Sequence, residues 1–303
     1  MKKVFVTGAL GLVGSRFIEL YKNKYDFITP EYPQFDLTNK ESVVSALKNS
    51  DPDVVVNFAA YTNVSEAENQ RGDKNLDCYK INVIGVKNLL EAVSSKTHYI
   101  QISTDNVFPG SENNPGPYSE DHPTDYKENE LTWYGYTKNL GEKEVIKKFG
   151  KDATILRLIY LSRSKYDMKS DYLRKPLSLF DEGKLYPMFN DQQVSISFVD
   201  SIAEALDKII DGDKRGVFHA SSEDTGTPFK IITYLIEKAR GVKNAVKPSS
   251  LAEFVKTVDN PVRYPKFGGL RVEKTEKELG IKYGTWKEIV DKFVKQLNSP
   301  SNT

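Results

Sequence analysis

The run Lys3-Val4-Phe5-Val6-Thr7-Gly8-Ala9-Leu10-Gly11-Leu12-Val13-Gly14 is a short apolar strand that breaks into three evenly spaced glycines and opens into an amphipathic helix. Each glycine answers a steric need: Gly8 permits a tight turn, Gly11 lets the backbone approach a pyrophosphate, and Gly14 lets the helix pack close to the strand. The leading N–H groups of the helix then face the negative charge. A chance cluster of turn glycines would lack the strand before and the helix after. The stretch therefore implies a dinucleotide site at the first strand-helix junction of an α/β fold.

The alternation continues downstream. Asp26 to Thr29, Asp53 to Asn57, Tyr99 to Ser103 and Ala153 to Leu158 read as short buried strands, and Leu12 to Tyr21, Lys40 to Leu47, Tyr79 to Val93 and Trp133 to Lys148 as helices with apolar positions recurring at three and four. Such repetition predicts a Rossmann-type doubly wound parallel sheet, with a smaller C-terminal α/β substrate lobe. Beyond residue 160 turn residues become frequent, and helices resume at Asp200 to Ile210, with Asp200 as the expected cap, then near Phe229 to Ala239, Lys274 to Leu279 and Trp286 to Leu297. The expected organisation is a dinucleotide-binding domain over 1–160, with parts of 190–222 returning to it, a substrate lobe over 161–189 and 223–297, and a tail over 298–303. Pro109 to Leu131, rich in Pro, Gly, Asn and acid, is long for a connection and is expected beside the site as a lid.

Composition narrows the function class. With 43 basic and 42 acidic side chains the formal charge is +1, which provides no field for nucleic acid or a membrane surface. Cys78 is the single cysteine and cannot form an internal disulfide; His98, His122 and His219 stand far apart, so no metal site is expected. The apolar start after Met1-Lys2-Lys3 is broken by Gly8, Gly11, Gly14 and Arg16, so no signal peptide is read there, and no segment reaches the ~18 apolar residues of a membrane span. A cytoplasmic protein is expected.

Tyr134-Gly135-Tyr136-Thr137-Lys138 places a phenol and an ammonium on one helix face. A phenol with a pKa near 10 is a poor base at neutral pH, and a neighbouring cation favours phenolate. The spacing alone is weak, because Tyr234/Lys238 and Tyr283/Lys287 share it and about two such matches arise by chance in so Tyr- and Lys-rich a chain. Position separates them: only the Tyr134 pair opens a helix after a strand ending Ile102-Ser103-Thr104-Asp105, in the half with the glycine loop. Strand carboxyl ends meet at the ligand crevice of a doubly wound sheet, so Thr104 and Tyr134 are expected at one carbonyl oxygen. Glu31, past the second strand, or Arg16, on the first helix, are the alternative reporters of NAD against NADP, and the choice stays open.

Thr7-Gly8-x-x-Gly11-x-x-Gly14, Asn57-Phe58-Ala59-Ala60, Ser103-Thr104-Asp105 and Tyr134-x-x-x-Lys138 together resemble the extended short-chain dehydrogenase/reductases. Within them, Phe35-Asp36-Leu37-Thr38, Pro52 to Glu68, Ile102 to Gly110 and Tyr134 to Glu142 look most like the dTDP-4-dehydrorhamnose reductases, closely over the first 160 residues and loosely beyond. The resemblance implies that Gly8, Gly11, Leu12, Val13 and Gly14 hold the cofactor, NADP or NAD, and that Asp36 and Leu37 flank its adenine. It further implies that Ala59, Ala60 and Thr62 line it, that Asn82 supports the site's waters, and that Tyr134 and Lys138 contact its nicotinamide half. Thr104, Tyr134 and Lys138 are the implied catalytic set; Thr104, Asp105 and Tyr160 are the implied substrate contacts. The implied activity is reduction of the 4-keto group of a nucleotide-linked deoxysugar by a homodimer. The alternatives are a nucleotide-sugar epimerase of the same family and a non-catalytic subunit like the methionine adenosyltransferase β-subunit. Three features depart from the pattern: Asn106 where an aromatic residue is usual, Tyr160 in place of tryptophan, and Ser195-Ile196-Ser197-Phe198 without its Pro-Thr pair.

Overall fold

A computed structural model describes residues 1–300; the end of the expected tail, 301–303, lies outside the described residues. In chain order the first elements are β1 (Lys3–Thr7), α1 (Gly14–Tyr21), β2 (Asp26–Ile28), α2 (Lys40–Ser50), β3 (Val54–Asn57), α3 (Val64–Asn69), α4 (Asp77–Tyr79), α5 (Gly85–Ala92), β4 (His98–Thr104), α6 (Trp133–Phe149) and β5 (Thr154–Leu158). There follow β6 (Leu161–Ser162), α7 (Arg174–Asp181), β7 (Met188–Phe189), β8 (Ser197–Phe198), α8 (Val199–Asp211), β9 (Gly216–Ala220), α9 (Pro228–Arg240), β10 (Pro248–Ser249), α10 (Leu251–Phe254), α11 (Glu273–Leu279) and α12 (Trp286–Asn298). The chain forms two compact units, one of Met1–Phe108, Pro123–Arg157 and Ile202–Phe218, the other of Pro109–His122, Leu158–Ser201 and the chain from His219 onward.

The central sheet has six strands in the order β2-β1-β3-β4-β5-β9. β1 pairs in parallel with both β2 and β3, and β3 in parallel with β4. The strand order reverses at β1, so the crevice beyond the carboxyl ends of β1 and β3 is where this architecture takes a ligand. β3 and β4 are buried at every residue, as strands of a sheet covered on both faces are. In the first unit Phe5, Val55, Tyr99 and Ile155 of the sheet pack with Val43 and Leu47 of α2, Val86 and Leu89 of α5, and Val145 of α6. The second unit has its own core, in which Leu173 and Leu177 meet Ile231, Ile232 and Leu235 of α9 and Trp286, Ile289 and Phe293 of α12. Thr227 caps α9 ahead of Pro228, and Thr285 with Glu288 forms a capping box on α12.

Four local features differ from the sequence reading. The helix expected from Tyr79 to Val93 is not uniform: a π-helical turn, Lys80–Ile84, joins α4 to α5, and a 3.6-residue period cannot reveal the extra residue. α3 escaped notice because six residues carry too little periodicity, although Asn63, whose side chain accepts from the Glu66 N–H, marks its start. α8 begins one residue early, so Asp200 lies inside its first turn and accepts from Gln296 Nε2 at 2.7 Å instead of capping. Finally, the Pro109 to Leu131 stretch is not a free loop along its first part. Gly116 and Tyr118 donate backbone N–H to Phe267 and Gly269, and Phe267 and Arg271 donate back to Gly110 and Tyr118, zipping it into the second unit.

Candidate active site

The glycine loop follows β1 directly. Gly8 has φ +65°, and a Cβ there would lie 2.9 Å from the Ala59 nitrogen at the exit of β3; a Cβ on Gly14 would lie 2.7 Å from the Gly8 carbonyl oxygen. Both positions therefore demand glycine, one for its dihedral and both for close approach. Val13, the cap residue of α1, offers no side-chain acceptor, whereas threonines cap α6, α9 and α12. A helix start whose cap residue carries no acceptor, behind a loop with no room for a Cβ at Gly8 or Gly14, fits a dinucleotide pyrophosphate.

Behind the loop runs a row of buried polar side chains. Thr7 Oγ1 donates to Asn57 Oδ1 at 2.6 Å, Asn57 Nδ2 to Gln101 Oε1 at 3.0 Å, and Gln101 Nε2 to the Ile102 carbonyl at 2.8 Å. The Ala59 N–H donates to Thr7 Oγ1, tying the exit of β3 to that of β1. The remaining cofactor candidates lie close by in the same unit. Ala59 and Ala60 are half-buried and Thr62 exposed. Asp36 Oδ1 accepts from the N–H and the hydroxyl of Thr38, and buried Leu37 packs where a Cβ on Gly85 would stand, 2.6 Å from its Cγ. Glu31 is exposed, and Arg16 is ion-paired with Glu19.

Thr104 ends β4, Tyr134 stands in the first turn of α6, and Lys138 follows one turn later. All three are buried. The Tyr134 phenol is in hydrogen-bonding reach of the Thr104 hydroxyl; burial pushes its pKa up, and the Thr104 hydrogen bond opposes the rise. Lys138 Nζ donates to the Ile102 carbonyl at 2.7 Å, and burial brings its pKa down to about 8, against the pull of Glu142. The sequence assigned the tuning of the phenol to Lys138, whereas Thr104 supplies the opposing contact here. Thr104 Oγ1 also donates to Asp105 Oδ1 at 3.2 Å, and burial raises the Asp105 carboxyl to about 6 while hydrogen bonds from Asn106 and Thr104 oppose the rise. The Asn106 carboxamide reaches both neighbours, Asp105 Oδ1 at 3.1 Å and Thr104 Oγ1 at 3.3 Å.

Asn82 sits in the π-helical turn. Its amide donates to Thr137 Oγ1 at 3.0 Å and to the Tyr61 carbonyl, and its Oδ1 accepts from the Tyr61 N–H. It thereby binds α6 to the exit of β3. A residue the sequence reading missed is Gly135: a Cβ there would lie 2.0 Å from the Asn106 carbonyl oxygen, so only glycine lets the start of α6 lie on the Thr104 turn. The signal was legible only as a glycine in a helical first turn.

Thr104, Asp105, Asn82, Tyr134 and Lys138 thus gather in the first unit with the glycine loop. Tyr160 belongs to the second unit, with φ 34° and its ring 4.6 Å from that of Tyr172. A bulky residue at positive φ is strained. Ser195 and Ser197 are structural braces there: Ser195 Oγ accepts from the Leu270 N–H, and Ser197 Oγ accepts from the Ile159 N–H and donates to the Ala220 carbonyl.

Residues 1–299 match the family model described as the RmlD substrate binding domain. The chain is 30% identical over 302 residues to the spore coat polysaccharide biosynthesis protein SpsK of Bacillus subtilis, covering 99% of each chain. It is 28% identical to a dTDP-4-dehydrorhamnose reductase of Sinorhizobium fredii, covering 96% of each. Its fold is similar to a crystal structure of dTDP-4-dehydrorhamnose reductase from Bacillus anthracis in complex with NADP, with TM-score 0.82 and 25% identity over 97% of this chain and 99% of that one.

Proposed function

This chain belongs to the RmlD substrate binding domain family, and from that premise we propose that it is an NAD(P)H-dependent reductase of the 4-keto group of a nucleotide-linked deoxysugar. The observation that carries the reading is that Thr104 at the carboxyl end of β4, Tyr134 in the first turn of α6 and Lys138 one turn beyond are all buried in the unit that holds the glycine loop. Gly8, Gly11, Leu12, Val13, Gly14, Asp36, Leu37, Ala59, Ala60, Thr62, Asn82, Tyr134 and Lys138 would hold the cofactor, whose nicotinamide would supply the hydride. Tyr134 donates the proton to the carbonyl oxygen as it gains charge. Thr104 donates its single hydroxyl proton to a hydrogen bond with the same oxygen. Lys138 stays on the Ile102 carbonyl and presents positive charge beside the site. Asp105 adds a substrate contact in this reading, and Tyr160 is assigned to the substrate by the resemblance alone. Acid–base assistance of this kind contributes about 10²–10⁴ in rate.

The reading extends to a cytoplasmic homodimer. A reducing compartment suits a chain whose single cysteine, Cys78, is buried and free; the dimer rests on the resemblance, and sedimentation of the purified chain checks it. The function is tested by incubating the protein with NADPH or NADH and a panel of 4-keto-6-deoxy nucleotide sugars. Oxidation of one cofactor per sugar reduced is the expected result. Product formed without net cofactor oxidation would make it an epimerase, and cofactor binding with no turnover on any sugar would make it a binding subunit.

A further inference from the structure

Glu68 lies on α3 and Arg71 just beyond its end, outside every group given a role above. Glu68 Oε1 accepts the backbone N–H of Trp133 at 2.6 Å. Trp133 is the first residue of α6 and immediately precedes Tyr134, so this N–H is one of the four that the helix cannot pair within itself. A carboxylate there also suits the helix dipole. Thr132 covers a second of the four, accepting from the Gly135 N–H at 2.9 Å.

Arg71 fixes the carboxylate in turn. Its Nε donates to Glu68 Oε2 at 2.9 Å and its Nη2 to Glu68 Oε1 at 3.3 Å. The same guanidinium donates to the carbonyls of Glu128 at 2.9 Å and Leu131 at 2.8 Å, which form the approach to α6. The Glu68 side chain is 7% exposed, so the bond to Trp133 has little competition from water. At its other end α3 is capped by Asn63, next to Thr62, and Gln70 donates to the Tyr61 hydroxyl at 2.9 Å. α3 is therefore a strut from the exit of β3, where cofactor is proposed to lie, to the start of the helix that carries the phenol.

We propose that Glu68 and Arg71 are positioning residues for Tyr134: the carboxylate anchors the first turn of α6, the guanidinium locks carboxylate and approach together, and the phenol is thereby held against Thr104. This rests on the reading of Tyr134 as the proton donor.

The experiment compares wild type, Glu68→Ala, Glu68→Gln and Arg71→Lys by steady-state reduction of the 4-keto sugar, NADPH affinity from fluorescence, and hydrogen exchange of the 132–137 amides without substrate. Because a misplacement near 1 Å costs about 10²-fold, Glu68→Ala is expected to lower kcat by about tenfold or more. KM and NADPH affinity should stay within about twofold. Glu68→Gln keeps an oxygen for Trp133 and should recover kcat to within about threefold of wild type. Arg71→Lys cannot serve all its acceptors and should lower kcat with the same unchanged affinities, which carries the test if Glu68→Ala does not fold. Unchanged kcat in Glu68→Ala, or kcat and cofactor affinity falling together, would overturn the proposal, as would Glu68→Gln no better than Glu68→Ala. A wild type that binds NADPH yet reduces no sugar would retire the functional reading alone. The anchor is then judged by exchange, which rises about tenfold in Glu68→Ala if the carboxylate holds that turn and stays at the wild-type rate if it does not.

Discussion

Burial favours the neutral form of two groups of the candidate site, and each makes a measurable prediction. Tyr134 is kept protonated by burial and touches Thr104, which suits a proton donor. Tyr134→Phe removes only the hydroxyl and is expected to lower kcat by about 10²–10⁴ while cofactor affinity holds; near-wild-type turnover in a stopped-flow assay of NADPH oxidation would remove Tyr134 from the reaction. Lys138 loses its proton near 8 in the folded chain, against an ordinary 10.5. Between those two values the unfolded chain binds the proton and the folded chain does not, so the lysine's contribution favours folding increasingly as pH rises from 8 toward 10.5. Below 8 the cost of the buried ammonium is fully present. The melting temperature of wild type relative to Lys138→Met should therefore climb across that window, and a flat difference would show that the buried amine is not strained in this way.

Among the elements, α6 carries most of the site and is fastened along its length. Beyond its anchored first turn, Glu142 forms a bidentate pair with Arg157 of β5, at 3.0 and 2.7 Å, with side chains 1% and 3% exposed. Removing one partner strands a buried charge, so Arg157→Met is expected to cost about 3–5 kcal/mol in urea denaturation; a loss below 1 kcal/mol would mean that Glu142 finds another partner. At this scale the sequence was legible wherever one period governed a whole element: β1, β3, β4, α2, α6 and α12 were all found to within a few residues. Topology, rather than spacing, is what singled out Tyr134 and Lys138 in the sequence. Gly135 and Glu68 were not, since each acquires its meaning from a backbone atom, the Asn106 carbonyl and the Trp133 amide, that folding brings near. The zipping of Gly110 to Tyr118 onto Phe267 to Arg271 was hidden for the same reason, as its partners lie some 150 residues along the chain.

For the whole molecule, neither compact unit is a continuous stretch. The first takes its last segment, Ile202–Phe218, from between two stretches of the second, Leu158–Ser201 and the chain from His219 onward. That segment is bonded into the unit, because Asp207 Oδ1 accepts from the Tyr25 hydroxyl at 2.7 Å and the Ile210 carbonyl accepts from Lys2 Nζ at 2.6 Å. A fragment of residues 1–160 lacks these partners and strand β9, and is expected to show no cooperative thermal transition; a sharp calorimetric peak from that fragment would refute the prediction. A chain whose neighbours in space are so far apart in sequence must align its strands without slippage. The buried row from Thr7 through Asn57 to Gln101 bears on that, since Thr7 pairs with Asn57 and Asn57 with Gln101 in the parallel ladders. A shift of one residue between any two of these strands would turn one member to the opposite face and leave amides stranded in hydrocarbon. Each mispaired sheet thus carries its own free-energy penalty, so the same side chains that brace the mouth of the crevice also proofread the assembly of the sheet.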